Sequence, residues 1–273
     1  MNNGIYGFPV GSKATFREVF FDESGTYYPA LNCQFIIIDL CGGGGGGVRP
    51  SVFSSGGFGG HAGQSIQMVI LAEQLGRSNS ITIGAGGAGG TSGNVNGTSG
   101  GNTSITNNDT GVVICEIFGG KFGGSARPNI VGTNTTSAFS SGSSGTTGET
   151  PTGGWGAAGG GGGQNAATGK AGGTPSRMTY NLGTGNMSAE TLGGGAAGGV
   201  SGGNGSNATK TVRNYGEGAG GGARDPSNSA TPGKGGNGIR GSGGGGGSAS
   251  SVAIADGGNG GNGFVRILEV SSI

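Results

Sequence analysis

The sequence predicts an all-β protein: an antiparallel β-sandwich base with an inserted bundle of polyglycine II helices. Three observations lead there. Apolar residues gather into short runs rich in Ile and Val, bounded by Gly or Asn, as half-buried strands require. Helical periodicity is nearly absent. Glycine accounts for 75 of the 273 residues, and it falls in tracts that follow directly on apolar runs.

The strands come in order. After a turn signal at Ser24-Gly25, "CQFIIIDLC" predicts a strand over 34–41. Further runs are "SIQMVILAEQL" (65–75), "SITIGA" (80–85), "NTSIT" (102–106), "GVVICEIF" (111–118), "SVAIAD" (251–256) and "GFVRILEV" (263–270). Within them, "MVILAEQL" has room for one helical turn. This spacing of short strands is the pattern of a sandwich. Residues 1–20 read as an attachment segment outside it, and 21–273 as the domain.

The tracts need a physical account. Glycine loses the most backbone entropy on folding and buries no side chain in return. A run such as "CGGGGGGVRP" is therefore ordered only if its backbone is bonded to something else. Polyproline II geometry, with three residues per turn and a rise of about 3.1 Å, has no internal hydrogen bonds. Glycine in that geometry keeps its N–H, so helices packed side by side bond to one another. Each such bond contributes about 0.5–1.5 kcal/mol net. Interior helices need Gly on every side, whereas surface helices tolerate one outward side chain. The bundle is expected mainly over 119–250, where glycine tracts alternate with polar loops at 125–152, 174–192, 206–215 and 223–232.

Composition excludes several classes. Gly and Pro together make up roughly 30% of the chain, a level that signals low complexity unless order is imposed, and collagen fails because Gly does not recur strictly every third residue. Fourteen Lys and Arg balance thirteen Asp and Glu, without the basic excess of a nucleic-acid binder. No run approaches the ~18 apolar residues of a membrane span. "MNNGIYGFPVGSK" lacks the features of a secretory signal, so synthesis and folding in a cytosol are expected. Cys33, Cys41 and Cys115 read as small buried apolar residues.

Chemical motifs are weak. Gly84-Ala85-Gly86-Gly87-Ala88-Gly89 matches G-x-G-x-x-G, but "GTSGNVNGTSGG" follows where a dinucleotide site needs a helix. "TGKA" and "PGKGG" lack the Ser or Thr of a P-loop. His61, the only histidine, reads as a loop or tract-edge residue with no metal or nucleophile partner. No cofactor, metal or enzymatic activity is expected.

The order of pieces is more specific. "FIIIDLCGGGGGG", a second strand, "ITIGAGGAGG", "GGNTSI", "VVICEIFGGKFGG", many tracts and a closing "GGNGFVRILEV" resemble the glycine-rich domain of bacteriophage tail and tail-fibre proteins and of tail-tip adhesins. The glycine-rich domain of anaplastic lymphoma kinase receptors is similar. The resemblance covers roughly residues 21 to 270. It implies a virion tail component made in the host cytoplasm, joined to other tail proteins through residues 1–20. It implies a homotrimer as one assembly, and a host cell-surface glycan or outer-membrane protein as the target. The alternative is a purely structural virion protein without receptor contact. A eukaryotic receptor ectodomain is disfavoured by the low cysteine count.

Aromatic and arginine side chains in loops are favoured at binding hot spots. In and beside the middle loops stand Phe139, Trp155, Arg177, Tyr180, Arg213, Tyr215 and Arg224, the candidate receptor-binding residues. Trp155, inside a tract, reads first as a cap that shields the bundle from water and second as a receptor contact.

Overall fold

A computed structural model describes residues 14–51, 53, 56–124, 159, 162, 176–181, 186–191, 202–209, 211–212, 215–216, 218–223 and 232–272. Its strands are β1 (Ala14–Phe21), β2 (Gly25–Tyr27), β3 (Cys33–Cys41), β4 (Ser65–Leu71), β5 (Asn79–Thr82), β6 (Thr103–Asn107), β7 (Val113–Ile117), β8 (Ser176–Asn181), β9 (Asn186–Thr191), β10 (Thr211–Val212), β11 (Tyr215–Gly216) and β12 (Phe264–Ser272). A single 3₁₀ turn, Ala72–Gln74, follows β4.

Two four-stranded antiparallel sheets, ordered β1-β12-β3-β4 and β2-β5-β6-β7, form a β-sandwich. Alternation decides which residues enter it. From β3, Ile36, Ile38 and Leu40 turn inward and are fully buried, with Ile70, Val265 and Ile267 beside them. Tyr27, Ile81, Ile105 and Ile117 meet them from the second sheet. At the sheet's far end a charge is buried on the same inner face. Glu269 is fully buried, its Oε2 accepting from Arg17 Nε at 2.6 Å and its Oε1 from the Ala30 N–H at 2.5 Å. On the outer face Arg266 bridges Glu18 and Asp39, and Gln67 Nε2 donates to Asp39 at 2.7 Å.

Two sequence expectations change. Residues 14–20, expected outside the sandwich, lie in its edge strand: β1 pairs with β12 along its whole length, from Ala14 with Ser272 to Phe21 with Val265. Phe20 stacks on Phe264 with ring centroids 5.6 Å apart. The partner of β1 lies at the opposite end of the chain, so no local hairpin announces it. The expected strand at 251–256 is a turn instead, with one isolated bridge from Ala249 to Ile254. Ser250 Oγ accepts the N–H groups of Val252 and Ala253 and curls the backbone away from an extended course.

The cysteines are free; Cys33 and Cys41 are buried and Cys115 is half-buried. Burial and the negative charge of Glu269 push the Cys33 thiol up to about 11. Burial also raises Cys41 and Cys115.

Candidate functional site: a glycine lattice and its asparagine face

Strands of the sandwich run on as glycine segments, so this region is built directly on the core. Segment 42–48 leaves β3, 84–91 leaves β5 and 119–123 leaves β7. Segments 56–64, 95–101 and 257–263 lead into β4, β6 and β12. Much of 119–250, where the bundle is mainly expected, lies outside the described residues. The segment at the centre of the described tracts is the "GGGGGG" that follows Cys41.

That segment bonds by threes. The N–H groups of Gly42, Gly45 and Val48 donate to the carbonyls of Gln64, His61 and Phe58. Those of Gly43, Gly46 and Arg49 donate to Gly101, Thr98 and Val95, and those of Gly44 and Gly47 to Gly261 and Gly258. The carbonyls rotate likewise. Gly43 and Gly46 accept from Gly120 and Gly123, Gly44 and Gly47 from Gly87 and Gly90, Gly45 and Val48 from Gly244 and Gly247. All these bonds measure 2.7–3.1 Å. One chain therefore has six neighbours, with its bonding direction repeating every third residue. The neighbours it donates to run antiparallel to it, and those it accepts from run parallel.

Close approach explains why glycine is required here. A Cβ on Gly42, Gly43, Gly44, Gly45, Gly46 or Gly47 would collide with the carbonyl of Phe118, Ala85, Ser242, Lys121, Ala88 or Gly245 respectively. Segment 241–248 repeats the arrangement, bonding to 42–48, 56–64, 257–263, 233–239 and 216–222. His61, expected at a tract edge, is buried inside this lattice; its N–H donates to Lys121 and its carbonyl accepts from Gly45.

At the lattice surface every third residue is exposed: Ala85, Ala88 and Thr91 in one segment, Lys234 and Asn237 in another, Asn259 and Asn262 in a third. There an outward N–H has no further glycine segment to meet. Asparagine side chains take that place. Asn204 Oδ1 accepts from Lys234 N, Asn207 Oδ1 from Asn237 N, Asn237 Oδ1 from Asn259 N, Asn259 Oδ1 from Gly89 N and Asn262 Oδ1 from Gly86 N, at 2.8–2.9 Å. Thr98 Oγ1 serves Ala88 N in the same way. Unmet, each such group would cost about 1–3 kcal/mol if buried.

Where this face meets the sandwich lies an open cleft of about 600 Å³. Asp22 and Glu23 stand on its sandwich side, and Asn237, Ile239, Arg240, Asn259 and Asn262 on its lattice side. Arg240 has a left-handed φ of 41°, a strained value for a residue with a side chain. Its guanidinium sits 4.7 Å over the Phe20 ring. The adjacent turn is held by Ser242, whose N–H and Oγ both donate to the Ile239 carbonyl.

Of the predicted site residues, Arg177 and Tyr180 fall in β8, at register positions opposite Glu190 and Met187 of β9. Tyr215 falls in β11, opposite Val212. Phe139, Trp155, Arg213 and Arg224 lie outside the described residues. The sequence reading allowed surface helices one outward side chain but gave the asparagines there no bonding role. The available signal was their spacing: "KGGNGIR" and "NGGNG" put a polar residue at every third position.

A glycine-rich domain family matches residues 22–268, most of the chain. The protein belongs to the glycine-rich domain family. The match starts one residue after β1 and ends in β12, so in this glycine-rich domain the family span takes in the second sheet, the first sheet without β1 and the end of β12, and the glycine segments. No curated protein matches it.

Proposed function

We propose that this glycine-rich domain is a non-enzymatic bacteriophage tail-fibre or tail-tip component that binds the host surface, its tracts being polyglycine II helices that hold the binding elements in place. The observation that carries the reading is the three-residue rotation of backbone bonds around 42–48. An interior made of backbone alone has no side chains with which to recognise anything. Specificity then belongs to outward positions and to the segments that join the tracts. Such segments vary without disturbing the interior, as a host-recognition protein requires. The resemblance to phage tail proteins supports the same reading.

In this account the loops at 125–152, 174–192, 206–215 and 223–232 carry host contact, with Arg177, Tyr180 and Tyr215 among the anchors. The target is a cell-surface glycan or an outer-membrane protein, and the assembled form is a homo-oligomer. Adsorption of particles carrying Arg177→Ala with Tyr180→Ala, and then with all four loops altered, tests it. Adsorption falls if the reading holds. Unchanged adsorption by a correctly folded variant leaves a purely structural virion protein.

A further inference from the structure

We propose that the asparagine face above the cleft is a binding site for an extended, uncharged oligosaccharide. The inference rests on the host-binding reading and assigns part of that binding to a surface that shares only Asn207 with the loops. Asn207, Asn237 and Asn259 form a row across three adjacent segments, each Oδ1 holding the next segment's N–H at 2.8 Å. A backbone N–H requires an oxygen, so each amide can face only one way. The Nδ2 donors are thereby turned away from the lattice, on side chains that are all exposed. Neighbouring bonded chains lie about 5 Å apart, and Asn262 repeats the motif one turn along, about 9 Å away. The row is a fixed grid of donors. Ordering a free side chain on binding costs about 0.5–1.5 kcal/mol, and here the fold has already ordered it.

Facing this grid across the cleft, Asp22 and Glu23 are exposed and supply acceptors. A ligand that meets donors on one wall and acceptors on the other must itself accept and donate at close intervals. Hydroxyl groups do both. Arg240 also lines the cleft, its guanidinium over the Phe20 ring, but the two carboxylates outweigh it and disfavour phosphate or acidic sugars, which argues against nucleic acid as the occupant. A peptide strand needs a free backbone edge to pair with, and the outward N–H groups are already taken by asparagine. Ile239 adds an apolar contact for a sugar ring's C–H face.

Asparagine to aspartate separates support from recognition: Oδ1 still accepts from the backbone, and the Nδ2 donor is gone. The full chain and its Asn237→Asp/Asn259→Asp variant are compared on an array of neutral and acidic oligosaccharides, with thermal melting as the fold control. The proposal expects binding to neutral oligosaccharides, weakened at least tenfold in a variant that melts as the parent does. Asn262→Ala gives a second reading of the same face. No binding to any neutral oligosaccharide, or equal binding by the parent and both variants, overturns it. If the array is blank while loop-altered particles lose adsorption, this site falls and the host-binding reading stands.

Discussion

The N–H of Gly45 donates to the carbonyl of His61 at 2.8 Å, and His61 in turn donates to Lys121 at 2.9 Å. A buried histidine thus takes part in the lattice through its backbone, as the glycines do. Three chains are tied together at one level by bonds that involve no side chain. The tolerance of each position to substitution depends on which way it faces.

Gly45→Val places a β-branched side chain against the Lys121 carbonyl. Loss of cooperative folding is the expected outcome, seen as insoluble protein or a melting transition lowered by well over 10 °C. Ala85→Ser, at an exposed position of the same lattice, leaves melting within about a degree, since surface changes of this kind fall within ±0.5 kcal/mol.

The edge strand gives a second prediction. A chain starting at Ala14 keeps all eight β1–β12 pairs and melts as the parent does. One starting at Asp22 exposes the β12 edge and removes Phe20 from Phe264, so it aggregates. Size-exclusion chromatography of the two truncations distinguishes these outcomes.

Glu269 is fully buried while its partner Arg17 is half-exposed. Arg17→Met leaves the carboxylate with the Ala30 N–H and no cation, and is expected to destabilise by about 1–3 kcal/mol. Arg17→Met with Glu269→Leu recovers most of that loss, because a buried pair replaced as a unit leaves no charge stranded. Denaturant unfolding of the single and double variants measures the difference.

Alkaline pH acts through Cys33. Its folded thiol titrates near 11 against 9.0 for the free group, so the native state holds a proton that the unfolded state has released. This contribution is whole below pH 9 and is lost as pH rises through 11. The melting midpoint should fall across that window, and fall less in Cys33→Ala. An equal decline in both proteins would remove Cys33 as the cause.

The sandwich was legible in the sequence because "FIIIDLC" and the closing "FVRILEV" are short runs rich in Ile and Val with glycine at one end. The 3₁₀ turn after β4 likewise matches the single helical turn that "MVILAEQL" had room for. What stayed hidden was pairing at a distance. "ATFREVFF" carries Arg17 and Glu18, whose partners Glu269 and Arg266 lie near the other end of the chain. The tracts themselves were legible, but not which tract meets which, because one glycine backbone offers the same groups as another. Asn259 and Gly89 illustrate this: 170 positions separate them, and only the folded lattice brings them together.

Scalar couplings across hydrogen bonds, from each amide nitrogen of residues 42–49 to its acceptor carbonyl carbon, test the lattice most directly. The account predicts couplings from Gly42, Gly45 and Val48 to Gln64, His61 and Phe58, from Gly43, Gly46 and Arg49 to Gly101, Thr98 and Val95, and from Gly44 and Gly47 to Gly261 and Gly258. Couplings that stay within the tract, or amides that exchange with solvent as freely as an unfolded chain's, would contradict it.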